Sequence, residues 1–143
     1  RRVDLPLAIE PIPAANQTTA DNDKVSQAQF EAILAKLQHS ITQEKIYLDP
    51  KISAQELASR LQANLSSLSH VINTHYQKSF RELFNQYRIE EVIGELQAGE
   101  HERHSILSIA LDSGFNSEAS FYRVFKNHTG MTPTAFIQSQ NPA

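Results

Sequence analysis

The sequence predicts an all-α chain of about seven helices, arranged as two helix-turn-helix subdomains joined by a long connecting helix. Three observations lead there. Apolar residues recur at spacings of three, four and seven rather than in alternation. The glycines are only four, and Gly114 and Gly130 fall where amphipathic runs stop. Finally, residues 110–136, ALDSGFNSEASFYRVFKNHTGMTPTAF, are a better-formed copy of residues 53–83.

Ser26 reads as the cap of a helix through about Thr42, whose Phe30, Ile33, Leu34, Leu37 and Ile41 form one buried stripe. The Tyr47-Leu48-Asp49-Pro50 stretch breaks it, because proline disfavours helical geometry in the residue before it. Ser53 caps again, with Glu56 at capping-box spacing, and a helix over 54–61 buries Leu57, Ala58 and Leu61. A turn at Gln62-Ala63-Asn64 leads to a helix from about Ser66 to Tyr76. Its apolar side is Leu65, Leu68, Val71 and Ile72, while Ser66, Ser69, His70 and Asn73 point away. The connecting helix, about residues 80–97, turns Leu83, Phe84, Tyr87, Ile89, Val92 and Leu96 inward, and Gly94 weakens its last turn.

Gly99 to His104 reads as a polar connection. Ser105 then caps a helix over 106–113 that buries Ile109 and Ala110. Gly114 supplies a left-handed stop, and Phe115 plugs the core behind it. Ser117 or Asn116 caps the next helix, with Phe121, Val124 and Phe125 inward. Its outer face shows Glu118, Ser120, Tyr122, Arg123, Lys126 and Asn127. Gly130 ends it, and Pro133 opens a closing helix through about Gln138 with Phe136 inward. The two copies align directly: Ala58 with Ala110, Leu68 with Phe121, Val71 with Val124, Ile72 with Phe125. The second carries one more residue between its first and second anchors.

Composition excludes much. A chain of 143 residues supports one or two small cores. It holds no run of about 18 apolar residues that would span a bilayer. With no cysteine, disulfides and thiolate chemistry are ruled out, which suits a reducing compartment. His101 and His104, flanked by Glu100 and Glu102, invite a metal reading. They lie in a polar loop without the HExxH frame, so neither a metal nor a cofactor is expected. There is no G-x-S-x-G elbow and no P-loop, and an enzyme is not expected.

The first 23 residues hold Pro6, Pro11 and Pro13 and the polar tract NQTTADND, which reads as a flexible linker. The chain starts at Arg1 without an initiator Met, predicting that it is cut from a larger protein. Arg1-Arg2 matches the cytoplasmic flank of a transmembrane helix; a cloning boundary accounts for it equally well.

The residues IALDSGFNSEASFYRVFKNHTGMTP resemble the second helix-turn-helix of the AraC/XylS family of bacterial transcription regulators. The stretch ELASRLQANLSSLSHVIN, with FRELFNQYRIEEV after it, resembles the first helix-turn-helix and connecting helix of that family. The likeness runs from about Tyr47 to Phe136, and its LSSLSHVINTHYQKSFRELFNQYRIEE flavour resembles a branch attached to membrane-bound or multidomain sensors. Gln62 and Gln77 depart from it, standing where the family commonly has glycine. The resemblance implies a linker over 1–23 and a DNA-binding domain over 24–143. Within the latter, 24–79 is the first unit, 80–98 the connecting helix and 99–143 the second unit.

What the resemblance implies about function is a sequence-specific DNA reader. Its second helices, near 66–76 and 117–128, would enter two successive major grooves, which recur about every 34 Å along one face. A connecting helix of about 27 Å can set that separation, and the target is expected to span about 20 base pairs. Ser66, Ser69, His70 and Asn73 take the base-facing positions of the first reading helix. Glu118, Ala119, Ser120 and Arg123 take those of the second. Arg123 suits guanine O6 and N7, Glu118 the cytosine N4 donor, and Ala119 a thymine methyl. Tyr122, Lys126, Lys78, Ser53 and Ser105 suit phosphates.

Plain solvated surface is the rival for Ser66, Ser69 and Ser120, and a surface pair with Glu118 or Glu102 is the rival for Arg123. Arg88 reads as an internal tie between the units. Double-stranded DNA is the expected partner, with RNA polymerase and a homodimer through the preceding part of the protein as further candidates. No small-molecule ligand is expected in this segment. The expected location is the cytoplasm, with the parent protein anchored in the inner membrane as one option.

The net charge of −3 argues for weak non-specific affinity, since phosphate contacts supply most of it. From Asp49 onward, Lys51, Arg60, Lys78, Arg81, Arg88, Arg103, Arg123 and Lys126 face ten acids. The alternative is a helical protein-interaction module of a signalling protein that does not bind DNA.

Overall fold

The computed structural model describes residues 25–140, so the linker expected over 1–23 lies outside the described residues. Among the described residues the chain is all helical, with seven α-helices, two 3-10 turns and no strand, as the periodicity predicts. The helices are α1 (Gln27–Thr42), α2 (Ala54–Arg60), α3 (Leu65–Tyr76), α4 (Phe80–Gln97), α5 (Ile106–Asp112), α6 (Glu118–Thr129) and α7 (Pro133–Gln140). The 3-10 turns are Ile46–Leu48 and Glu100–Glu102.

Short polar side chains start these helices by binding free backbone N–H groups. The Ser26 hydroxyl accepts from Gln29 N–H, Ser105 from Ser108 N–H and Ser117 from Ser120 N–H. Asn64 caps α3 by accepting from Ser67 N–H at 2.7 Å. Ser79 and Glu82 form a full capping box on α4. That box holds the Glu82 carboxyl below its usual range, first through the Ser79 backbone N–H and then through its hydroxyl.

The chain divides into two compact units. One holds the described residues up to His39 together with Ala54–Gln77; the other holds Ser40–Ser53 and everything from Lys78 onward. In the first unit α1 buries Ile33 and Leu37, α2 buries Leu57 and Ala58, and α3 buries Leu68, Val71 and Ile72. The core of the second unit joins Ile89, Val92 and Leu96 of α4 to Ile109, Ala110, Phe115, Phe121, Phe125 and Phe136. Edge-to-face contacts run from Phe115 through Phe121 and Phe125 to Phe136, the preferred geometry for packed rings.

The second unit also includes the break between α1 and α2. The half-buried Arg88 donates from Nε to the Tyr47 carbonyl at 2.6 Å and from Nη2 to the Asp49 carbonyl at 3.1 Å. Burial lowers its pKa from the ordinary value, and the Asp49 charge opposes that. Arg88 was expected to tie the two units to each other. Both of these bonds lie inside one unit instead, because Tyr47 and Asp49 belong with α4. Tyr47 stacks on Tyr87 and bonds Glu91 through its hydroxyl at 3.2 Å. Burial, then the Glu91 charge, pushes its pKa up to about 12.

Candidate nucleic-acid interface

The internal repeat is closer in backbone geometry than in sequence. The two first helices, α2 and α5, have seven residues each, and the two second helices, α3 and α6, have 12 each. The extra residue of the second copy lies in its turn. Each first helix ends in the same pair of bonds. Ala63 N–H donates to the Ala58 carbonyl at 2.9 Å and Gln62 N–H to Ser59; Phe115 N–H donates to Ala110 at 3.1 Å and Gly114 N–H to Leu111.

Gln62 at φ 59° stands where Gly114 stands at φ 106°. The second helices stop alike too, on Gln77 at φ 58° and Gly130 at φ 81°, each donating its N–H to the carbonyl four residues back. A further helix follows three residues after either stop, α4 at Phe80 and α7 at Pro133. The two glutamines made the first unit's turns uncertain from sequence. The structure gives them the glycine conformation, at a cost of about 1–2 kcal/mol each for a side chain held there.

On α6, Phe121 and Phe125 are buried while Glu118, Ala119, Tyr122, Arg123 and Lys126 are exposed and Ser120 is half-buried. Among the described residues neither Arg123 nor Lys126 takes part in an ion pair, and Arg103 bonds Glu100 at 2.8 Å instead. Among the described residues Tyr122, 41% exposed, is one of three large apolar side chains left open to solvent. The outer face therefore offers one guanidinium, one ammonium, one carboxylate and one phenol. The two cations and the phenol can donate to phosphate oxygens or base edges, and the carboxylate can accept from a base-edge donor.

On α3, Ser66 and Asn73 are exposed, and Ser69 and His70 are half-buried. The ring of His70 meets Phe30 of α1 edge-to-face, with centroids 5.9 Å apart. Leu65, expected inward, is 44% exposed. The Asn64 cap makes it the first residue of α3, so it sits past the end of the core that Leu68, Val71 and Ile72 enter. Of the residues assigned to phosphates outside these helices, Lys78 is half-buried and Ser53 exposed. The Ser105 hydroxyl is already engaged as the cap of α5.

The apolar stripe of α1 could be covered either by the first unit or by a second chain. Phe30 reaches α3, and Lys36 Nζ donates to the Leu61 carbonyl at 3.3 Å and to Gln62 Oε1 at 3.5 Å. It packs on the first unit. Nothing in the local pattern announces these contacts, since Phe30 and His70 are 40 positions apart. His101 is half-buried, with Nδ1 buried and unbonded, and His104 is exposed. Among the described residues no three His, Cys, Asp or Glu side chains gather in a metal-like group. No helix there is long and apolar enough to cross a membrane.

Two matched helix-turn-helix units, each presenting the outer face of its second helix, define a paired helix-turn-helix domain. The chain belongs to the AraC-type helix-turn-helix domain family, whose sequence profile matches residues 57–139. It is similar to the transcriptional regulator SirC of Salmonella typhimurium strain SL1344 and of Salmonella typhi, 28% identical over 106 residues. That match covers 70% of this chain, which spans about a third (35%) of the length of those relatives.

Among solved structures it resembles a protein of unknown function from Listeria innocua, with a TM-score of 0.65, 26% identity, and coverage of 75% of this chain and 96% of that one. It shares its fold with a DNA-binding transcriptional dual regulator from Escherichia coli K-12. There the TM-score is 0.57 and the identity 22%, over 80% of this chain and 93% of that one.

Proposed function

We propose that this chain is the DNA-binding part of a transcription regulator, with α3 and α6 reading two successive major grooves. The observation that carries the reading is the pair of 12-residue second helices, matched in cap and stop, with Ser66 and Asn73 of α3 and Glu118, Tyr122, Arg123 and Lys126 of α6 open to solvent. The family membership supports it. In this reading Arg123 and Glu118 select bases with Ala119 and Ser120, while Tyr122 and Lys126 hold phosphates. On α3, Ser66, Ser69, His70 and Asn73 make neutral hydrogen bonds to base edges. Residues 1–23 serve as a linker to whatever precedes them. Pairing through that part, contact with RNA polymerase and anchorage of the parent protein in the inner membrane extend the same reading.

Site selection from random duplex DNA, followed by mobility shift near 50 mM salt, tests it; binding is salt-sensitive, so low salt is the permissive condition. Enrichment of an asymmetric site of about 20 base pairs is the expected result. The Arg123→Ala variant should then lose affinity for that site while keeping its affinity for random DNA. Equal loss on both reassigns Arg123 to a phosphate. The acidic balance of the chain favours the second reading, a protein-interaction module, and the absence of any selected sequence would establish it over the first.

A further inference from the structure

We infer that Phe30 is a positioning residue for base reading by His70, so that the first helix, and not the helix-turn-helix alone, sets the specificity of the first unit. The inference rests on the DNA-reading function proposed above. A histidine reads a base edge through two ring nitrogens whose placement depends on the plane of the ring. On a bare helix surface that ring would sample several rotamers. A reading group needs a supporting neighbour that removes this freedom.

Phe30 supplies one. Its ring meets the imidazole at 5.9 Å with an 81° angle between planes. An edge-to-face pair holds two rings in a defined orientation. The contact comes from a helix that is itself seated on the same unit, because Lys36 of α1 bonds the carbonyl of Leu61 and the side chain of Gln62. Thus α1 touches both the turn and the reading helix. Phe30 lies on α1, ahead of residues 57–139 that the family profile matches, so this determinant comes from outside the helix-turn-helix itself. Any rearrangement of α1 would reach the reading face through it.

The test compares the full chain with Phe30→Leu, Phe30→Met, Phe30→Tyr, His70→Ala and the Phe30→Leu/His70→Ala double variant. Each is taken through site selection and competition binding, with circular dichroism and urea midpoints to confirm folding. Leu and Met keep apolar bulk and remove the ring. Whichever of them folds should flatten the preference at the base pair that His70→Ala flattens, by about 2- to 10-fold. Its binding to random DNA should be unchanged. Phe30→Tyr should restore the preference, and the double variant should match His70→Ala alone.

A purely structural Phe30 would instead weaken all sequences alike or leave the preference intact, and either result overturns the inference. So does a His70→Ala variant with wild-type preference. In those cases a wild-type chain that still selects a site leaves the DNA reading standing. A wild-type chain that selects none removes both.

Discussion

Replacing Gly114 by alanine should destabilise the second unit far more than an ordinary surface substitution. Two costs combine. At φ 106° any side chain is strained, by about 1–2 kcal/mol. A Cβ there would also run into the Tyr47 carbonyl oxygen and come 2.7 Å from Arg88 Nε. One obstacle is backbone, so no single rotamer change relieves the contact. The same carbonyl accepts the Arg88 bond, so moving it breaks a charged hydrogen bond worth about 1.5–3 kcal/mol.

Together these amount to about 2.5–5 kcal/mol, a large share of the roughly 5–15 kcal/mol that holds a domain folded. Gly94→Ala is the control. Gly94 lies inside α4 with open space around it, and the change should stabilise by up to about 1 kcal/mol. Urea unfolding followed by circular dichroism at 222 nm measures both. A Gly114→Ala variant within about 1 kcal/mol of wild type would refute the packing of this turn against Tyr47 and Arg88.

Gln62→Gly and Gln77→Gly should each raise stability by about 0.5–1 kcal/mol in the same assay, because the relief of left-handed strain exceeds the extra unfolded-state entropy of glycine. Tyr47 should titrate near 12, above its ordinary value of 10. The folded state then holds its proton more tightly, so the contribution is complete below pH 10 and is lost as pH rises through about 12. Ultraviolet titration at 295 nm should show a late step that Tyr47→Phe abolishes. Lys126→Ala should weaken binding to all sequences alike and reduce the dependence of log affinity on log salt by about 1.

Where helices begin and end was legible because caps are local. Ser26, Ser105 and Ser117 lie next to the amide groups they serve, and Gly114 and Gly130 are the residues a left-handed stop favours. Local pattern also put Leu68, Val71, Ile72, Phe121 and Phe125 inside. It misled at Leu65, whose spacing matches the apolar stripe but whose place at the tip of α3 takes it beyond the core. Gln62 and Gln77 hold left-handed geometry against their own preference, so only the closing of the whole turn reveals them. Lys45 does the same before the Ile46–Leu48 turn, at φ 49°. The partners of Arg88 lie 39 and 41 residues away and Phe30 lies 40 from His70. Such pairings exist only after folding, so no window of sequence contains them.

The two units solve one geometric problem differently, and the difference bears on how each would read DNA. The second unit uses a glycine at its turn. Its backbone can close against Tyr47 and Arg88, while the outer face of α6 carries Arg123 and Lys126. The first unit has Gln62 there and is braced from outside by α1 through Lys36. Its outer face carries no permanent cation, only hydroxyls, an amide and the imidazole held by Phe30. Charge-assisted contacts are stronger than neutral ones but less selective when they fall on phosphate. On the proposed function, α6 therefore supplies phosphate affinity through Lys126 and base selection through Arg123 and Glu118, and α3 adds discrimination that depends on how α1 is seated. A chain of net charge −3 then has little hold on random DNA. On that same reading, tight binding needs both units on a matched site, which couples recognition to the seating of the N-terminal helix.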